Sequence, residues 1–197
     1  MPFTHWPGRR VSTTVLTLPD TATKRFGALV ADYKAEPIKF PKLRSITFAQ
    51  WAKESGWGTS KLARQHLNYG GMKWRPYMNS WAEPVEYVAW DAPGTYCKFP
   101  DHQAWIHGYW GRFGKEPAYK GWEEKAAIGP EAFIHHIGPI WLGMSPQDNA
   151  AYVLDVLRIE KLVRVNFEVS TNDPPDDHSG PPADVPFGRL RPDADFK

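Results

Sequence analysis

A single glutamate, Glu54, holds the most chemically suggestive place in this 197-residue chain. It closes a helix-like run, Ala52-Lys53-Glu54-Ser55, and Gly56-Trp57-Gly58-Thr59-Ser60 follows at once. A second helical stretch carries Leu62-Ala63 and gives way to a glycine-rich turn, Asn68-Tyr69-Gly70-Gly71-Met72-Lys73. One acidic group is thereby set at a helix end, beside an aromatic wall and flexible backbone. Apolar surroundings and the negative end of a helix dipole both raise a carboxyl pKa, so such an acid can hold its proton near neutral pH. A proton held there suits protonation of the leaving oxygen as a glycosidic bond breaks through an oxocarbenium-like state. A merely solvated helix-terminal glutamate is the bland alternative, and the flanking motif argues against it.

Several elements must position this acid. Pro19 to Glu36 reads as a helix, with Phe26, Leu29, Val30 and Tyr33 on one face and Pro37 as its stop. Ser45 to Ser55 reads as the helix that carries Glu54, with Ile46 and Ala49 inward and Gly56 past its end. Ser60 to His66 is a short third helix. Residues 84–99 change character: two arms rich in β-branched and aromatic residues flank Asp91-Ala92-Pro93-Gly94, the pattern of a β-hairpin with that tetrapeptide as its turn. Helices resume at Pro100-Asp101 and run to about Phe113, then from Pro130 to Ile137. A last helix opens on Ser145-Pro146-Gln147-Asp148, with Ser as cap and Pro in the first turn, and runs through Tyr152 to Ile159. From Ser170 onward Pro, Gly and Asp dominate, and this tail is expected to be extended or disordered.

Bulk properties narrow the classes. The length suits one compact domain with a real core. A net charge of +2 makes no case for nucleic acid. Cys97 is the only cysteine, so no intrachain disulfide forms. No stretch approaches the ~18–20 apolar residues of a membrane span. Ten tryptophans are the outlier; some are expected in the core, and a cluster near one cleft would suit the apolar faces of sugar rings. Seven histidines prompt a search for metal ligands. Asp101-His102, His107 and His135-His136 lack the His-Glu-x-x-His spacing, so no metal and no cofactor is expected. Cys97 on a hairpin strand is a poor nucleophile position. The start, Met-Pro-Phe-Thr-His-Trp, lacks the cationic and apolar regions of a secretory signal.

The run from Ile46 to Lys73 resembles the glucosaminidase family of peptidoglycan hydrolases, glycoside hydrolase family 73. That family pairs a helix ending in Glu-Ser-Gly-Trp-Gly with Ser-x-Leu-Ala and then an Asn-x-x-Gly-(Ile/Leu/Met)-Lys turn, and all three occur here in order. Val85 to Phe99 resembles the family's hairpin, with Glu86-Tyr87 matching its Glu-aromatic pair. Pro100-Asp101-His102 followed by Trp105, then Pro117-Ala118-Tyr119, Pro130-Glu131-Ala132-Phe133 and Tyr152, resembles its later sections. The likeness covers residues 43–162. There are departures. Cys97-Lys98 stands where the family has an arginine, Gly70 replaces a phenylalanine, and Trp141 to Pro146 is longer than the family's stretch and lacks its first tyrosine.

The resemblance implies an α+β, mostly helical, lysozyme-like domain with a β-hairpin lobe. Residues 1–40 would form an N-terminal extension and first helix, 41–165 the catalytic domain, and 166–197 the tail. It implies Glu54 as general acid and Glu86 as second carboxylate, with Glu83 and Asp91 as nearby rivals. A carboxylate on the hairpin would position water in an inverting reaction, which needs ~6.5–9.5 Å between carboxyls; attack by the substrate's own acetamido oxygen is the alternative. Tyr152 is the supporting aromatic, with Trp141 as the other choice. Trp57, Asn68, Tyr69, Trp74 and Trp141 are candidate sugar contacts. Taken singly, each aromatic is more often core, and Asn68 could simply cap a turn. The expected partner is the glycan strand of bacterial peptidoglycan, with no nucleic acid or membrane, cut as by an endo-β-N-acetylglucosaminidase. A muramidase or lytic transglycosylase on the same scaffold, and a non-catalytic wall-binding or virion component, are the rivals. The expected setting is synthesis in the cytoplasm and action on the cell wall, as a phage protein or an injected effector.

Overall fold

The helix that ends beside Glu54 is the centre of the molecule. The computed structural model describes residues 20–88, 93–143, 146–167 and 169. In chain order these form α1 (Asp20–Ala35), α2 (Arg44–Ser55), α3 (Lys61–His66), β1 (Glu83–Val88), β2 (Pro93–Lys98), α4 (His102–Lys115), α5 (Trp122–Ile128), α6 (Pro130–Leu142) and α7 (Pro146–Phe167). Short 3-10 turns stand at Pro41–Leu43, Pro76–Met78 and Pro117–Tyr119.

Residues 44–52 of α2 are all buried, which a helix with one apolar stripe would not be. Its neighbours are α1, α6 and, most extensively, α7. Enclosure on every side requires that its polar side chains find partners inside the protein. Thr47 donates to the Leu43 carbonyl and shares a 2.9 Å hydrogen bond with the Tyr33 hydroxyl of α1. Ser45 donates to Glu160 of α7 at 2.7 Å, and Arg164 holds the same carboxylate oxygen at 2.8 Å. The register of α2 against α1 and α7 is therefore set by hydrogen bonds as well as by packing.

Caps follow the sequence closely. Ser60 Oγ accepts from Ala63 N to start α3, and Asp101 Oδ1 accepts from Ala104 N at 2.7 Å to start α4. Three expectations need correction. Pro93 and Gly94 pair with Val88 and Tyr87, so they belong to β2 rather than to the turn. Pro is tolerated as the first residue of a strand. Helix α6 passes through Pro139, which forfeits one bond to the His135 carbonyl, and stops only at Gly143, in the left-handed region at φ 62°. Helix α7 runs past Ile159 to Phe167. Ser145, Asp91 and the tail beyond Ser170 lie outside the described residues.

Four of the eight described tryptophans are buried in the core, and the other four pack against it. Trp51 and Trp105 are fully buried, and Trp81 and Trp110 nearly so. Trp51 meets Trp105 and Tyr109 edge-on at 5.4 and 5.0 Å between centroids. Gly70, the departure from the family pattern, has a steric reason. A Cβ there would lie 2.6 Å from the Trp141 ring and 3.0 Å from Trp105. The volume that a phenylalanine would bring at position 70 is supplied by Trp141 from α6. Gly70→Ala should therefore lower stability by about 1–3 kcal/mol through overpacking. Urea denaturation checks this, and an unchanged midpoint would mean that Trp141 swings aside freely.

Candidate active site

The end of α2 is built by its own sequence. Gly56 caps the helix in the left-handed region at φ 56°. Trp57 follows at φ 59° and Gly58 at φ 75°, so three consecutive residues are left-handed, one of them a tryptophan. A bulky residue held there carries strain that surrounding contacts must overcome. Trp57 N donates to the Ala52 carbonyl at 2.8 Å, Ser55 Oγ donates to the Trp51 carbonyl at 2.6 Å, and Gly58 N donates to Ser55 Oγ at 2.8 Å. The Trp57 ring stacks on Phe167 and meets Phe26 edge-on. These ties hold the turn that exposes one side of Glu54.

Glu54 is half-buried, and Tyr152 reaches it from α7. The Tyr152 hydroxyl donates to Glu54 Oε1 at 2.8 Å. One turn further along α7, Asp155 accepts from Lys53 at 2.9 Å. The two contacts clasp the end of α2 against α7. Burial raises the Glu54 pKa above its ordinary value of 4.5, while the Tyr152 hydrogen bond and the Lys53 charge pull it partly back. The Tyr152 phenol is pushed well above 10, by burial first and by Glu54 second, so it stays a donor.

Beneath this pair lies Gln50, which sequence reasoning passed over. It is fully buried one turn before Glu54, and Tyr109 of α4 donates to its Oε1 at 2.6 Å. A polar residue four positions before the acid, inside an otherwise apolar run, was the available signal. Its amide lies close enough to the Tyr152 hydroxyl to favour the phenolate, yet Nε2 completes no well-aligned hydrogen bond. The contact is therefore loose in the resting protein.

The remaining candidates are spread around this centre. Asn68 is buried, and its side chain is committed to backbone. Nδ2 donates to the Met72 and Cys97 carbonyls at 2.9 and 3.0 Å, and Oδ1 accepts from Met72 N at 2.8 Å. It stitches the glycine-rich turn to β2, with both amide protons spent on backbone carbonyls. Asn68→Ala should cost about 2–3 kcal/mol, because buried backbone groups lose their partners. If the role is structural, activity per folded molecule should keep its KM, and a raised KM in well-folded protein would mean that Asn68 contacts the sugar.

Tyr69 is buried between Phe26 and Trp105, its hydroxyl 2.9 Å from His102 Nε2. His102 Nδ1 in turn meets Asp32 of α1, so this chain ties α1 to α4. Trp74 is half-buried at the hairpin's foot, where its backbone N donates to the Thr95 carbonyl. Trp141 packs on Tyr109 and under the Arg112 guanidinium, 4.7 Å from its centroid. It therefore borders the Tyr109 side of the site, and Tyr152 is the aromatic that reaches Glu54. Glu86 sits exposed on β1, accepting from Thr95 Oγ1 across the hairpin at 2.7 Å. Glu83, also exposed, faces Lys98 at 3.5 Å. Cys97 is buried against Met78, and burial pushes its thiol up to about 12, the state of an inert cysteine. Among the described residues no group of three or more His, Cys, Asp or Glu is placed to hold a metal ion, and no helix is long and apolar enough to cross a membrane.

A mostly helical α+β domain with a two-stranded lobe and a shielded carboxyl at a buried helix's end defines a lysozyme-like class. Comparison with known families narrows it. The family model Glucosaminidase, described as mannosyl-glycoprotein endo-beta-N-acetylglucosaminidase, matches residues 30–139, more than half of the chain. The chain belongs to this glucosaminidase family and is a glucosaminidase-type peptidoglycan hydrolase. The match starts within α1 and ends within α6, so Tyr152 lies beyond it. No curated protein and no solved structure matches the chain.

Proposed function

We propose that this protein is an endo-β-N-acetylglucosaminidase that cuts peptidoglycan glycan strands after N-acetylglucosamine, with Glu54 as its general acid. The observation that carries this reading is the Glu54 carboxyl itself. It lies at the end of the helix of the Glu-Ser-Gly-Trp-Gly motif, is shielded so that its protonated form is favoured, and is gripped on one oxygen by Tyr152. The oxygen left over, Oε2, offers its proton to the glycosidic oxygen. The O–H bond of Glu54 breaks as the leaving hydroxyl forms, and the carboxylate that remains is stabilised by Tyr152 and Lys53. Glu86, carried on the hairpin, is the candidate to orient the attacking water.

The test is a digest of purified peptidoglycan by the wild-type protein and by Glu54→Gln, followed by borohydride reduction and mass spectrometry. Fragments ending in reduced N-acetylglucosamine, released by wild type alone, are expected. Reduced or anhydro-muramic ends would move the cut to the other bond. Release of nothing, on walls of several species, would leave a binding or structural protein.

A further inference from the structure

Gln50 and Glu54 are four residues apart on α2, so their side chains share one helix face. The Gln50 amide is held from one end. Tyr109 is fully buried, and its hydroxyl donates to Gln50 Oε1 at 2.6 Å. Were the amide reversed, Tyr109 would face an NH2 group and its own hydrogen would lack this acceptor inside the core. The amide therefore keeps its oxygen toward Tyr109, which leaves Nε2 as the free end, without a completed hydrogen bond but near enough to the Tyr152 hydroxyl to act on it. The Tyr152 hydroxyl has one hydrogen, and it lies on Glu54 Oε1 at 2.8 Å.

We propose that Gln50 and Tyr109 are positioning residues that force the series Tyr109–Gln50–Tyr152–Glu54 to run in one direction, so that Tyr152 always donates to Glu54 Oε1 and the transferable proton rides on Oε2. The proposal rests on Glu54 as general acid. A reversed Gln50 would present its carbonyl to Tyr152 and compete with Glu54 for the phenol's only hydrogen. The unspent Nε2 has a further use. When Glu54 gives up its proton, Tyr152 is pulled harder toward the carboxylate and its oxygen becomes a better acceptor. The loose Gln50 contact can then tighten, as hydrogen bonds in resting sites often do on reaction. The effect is to stabilise the Glu54 carboxylate and so to hold the acid's pKa down.

Among the described residues, the groups facing this series are few. Lys53, paired with Asp155 of α7, is the positive charge that acts on Glu54. Tyr109 from α4 and Tyr152 from α7 are phenols kept neutral by burial; Tyr33 of α1 acts on Tyr109, and Tyr119, from the turn before α5, acts on both. None of these supplies the directional contact that Gln50 does.

The test reads Glu54 directly. The full-length protein is labelled with 13C at glutamate carboxyls, and the Glu54 resonance is assigned by its loss in Glu54→Gln. Its titration is then followed in wild type, Gln50→Met, Tyr109→Phe, Tyr152→Phe and the Gln50→Met/Tyr152→Phe double variant. Gln50→Met should raise the Glu54 pKa by about one unit, a tenfold change in ionisation. Tyr109→Phe should raise it by less. In the Tyr152→Phe background Gln50→Met should add nothing, because the relay is already cut. The alkaline limb of wall hydrolysis should move up in parallel. An unmoved Glu54 titration in folded Gln50→Met, or the same shift with and without Tyr152, would overturn the proposal. If Gln50→Met does not fold, Tyr109→Phe decides on the same criterion. Since the titration needs no turnover, loss of the glucosaminidase reading in the peptidoglycan digest would be seen separately.

Discussion

Glu54→Gln should reduce wall hydrolysis by about 10²–10⁴-fold, the range that a positioned general acid supplies, and should also make the protein more stable at neutral pH. The loss follows from the leaving group. A sugar alkoxide expelled without a proton is a poor leaving group, and glutamine has none to give. The gain follows from linkage. Burial raises the folded-state pKa of Glu54 above 4.5, its value in an open chain. Below that value both states are protonated, and this group's contribution to stability is fully present. As pH rises toward the raised folded value, the unfolded chain sheds the proton freely while the folded chain resists, so stability falls. Glutamine keeps the shape and cannot ionise. The variant's advantage should therefore be near zero below pH 4, grow between there and neutrality, and reach about 0.5–2 kcal/mol, the scale on which active sites trade stability for function. Thermal melts of both proteins from pH 4 to 8 measure it. A variant that is equally stable throughout would mean that the Glu54 carboxyl is better solvated than its position implies.

How much of this was legible in the sequence depends on how local each feature is. The end of α2 is written within seven residues: a carboxyl, a serine that folds back on the helix, and a glycine that can turn left-handed. Caps at Ser60 and Asp101 are equally local. The partners of Glu54 are not. Tyr152 stands 98 residues away, and only the packing of α7 along α2 decides that its ring, rather than Trp141, reaches the acid. Gln50 was overlooked because a polar residue in a helix reads as part of its solvent face, and nothing local says that residues 44–52 are enclosed on all sides. Gly70 and Trp141 stood in the sequence as two unrelated departures. Three-dimensional contact makes them one exchange of volume. Helix α5 escaped notice because seven residues with one buried alanine give no usable period. The hairpin turn was misplaced because Pro-Gly is a turn signal that a strand's first residues can also carry.

Tyr152→Phe should move the alkaline limb of the pH–rate profile upward, the opposite of what loss of a supporting residue usually suggests. The hydroxyl donates to Glu54 Oε1 and favours its charged form, so it lowers the acid's pKa against the larger effect of burial. Without it the Lys53 charge alone opposes burial. A hydrogen bond to a charged group is worth about 1.5–3 kcal/mol, so the upward move should be readily measured. The variant should thus stay protonated at a pH where wild type has ionised. Its maximal rate should nonetheless fall, by about tenfold or more, because the carboxylate left after proton transfer has lost its stabilising donor and its fixed rotamer. The acid limb, which reports whichever group must be ionised, should stay in place, since Tyr152 touches Glu54 and not the hairpin. Rate profiles from pH 4 to 10 on one peptidoglycan preparation separate the two effects. An alkaline limb that moves down would mean that Tyr152 holds the protonated rather than the charged form of Glu54, and the direction of the whole hydrogen-bond series would have to be reversed.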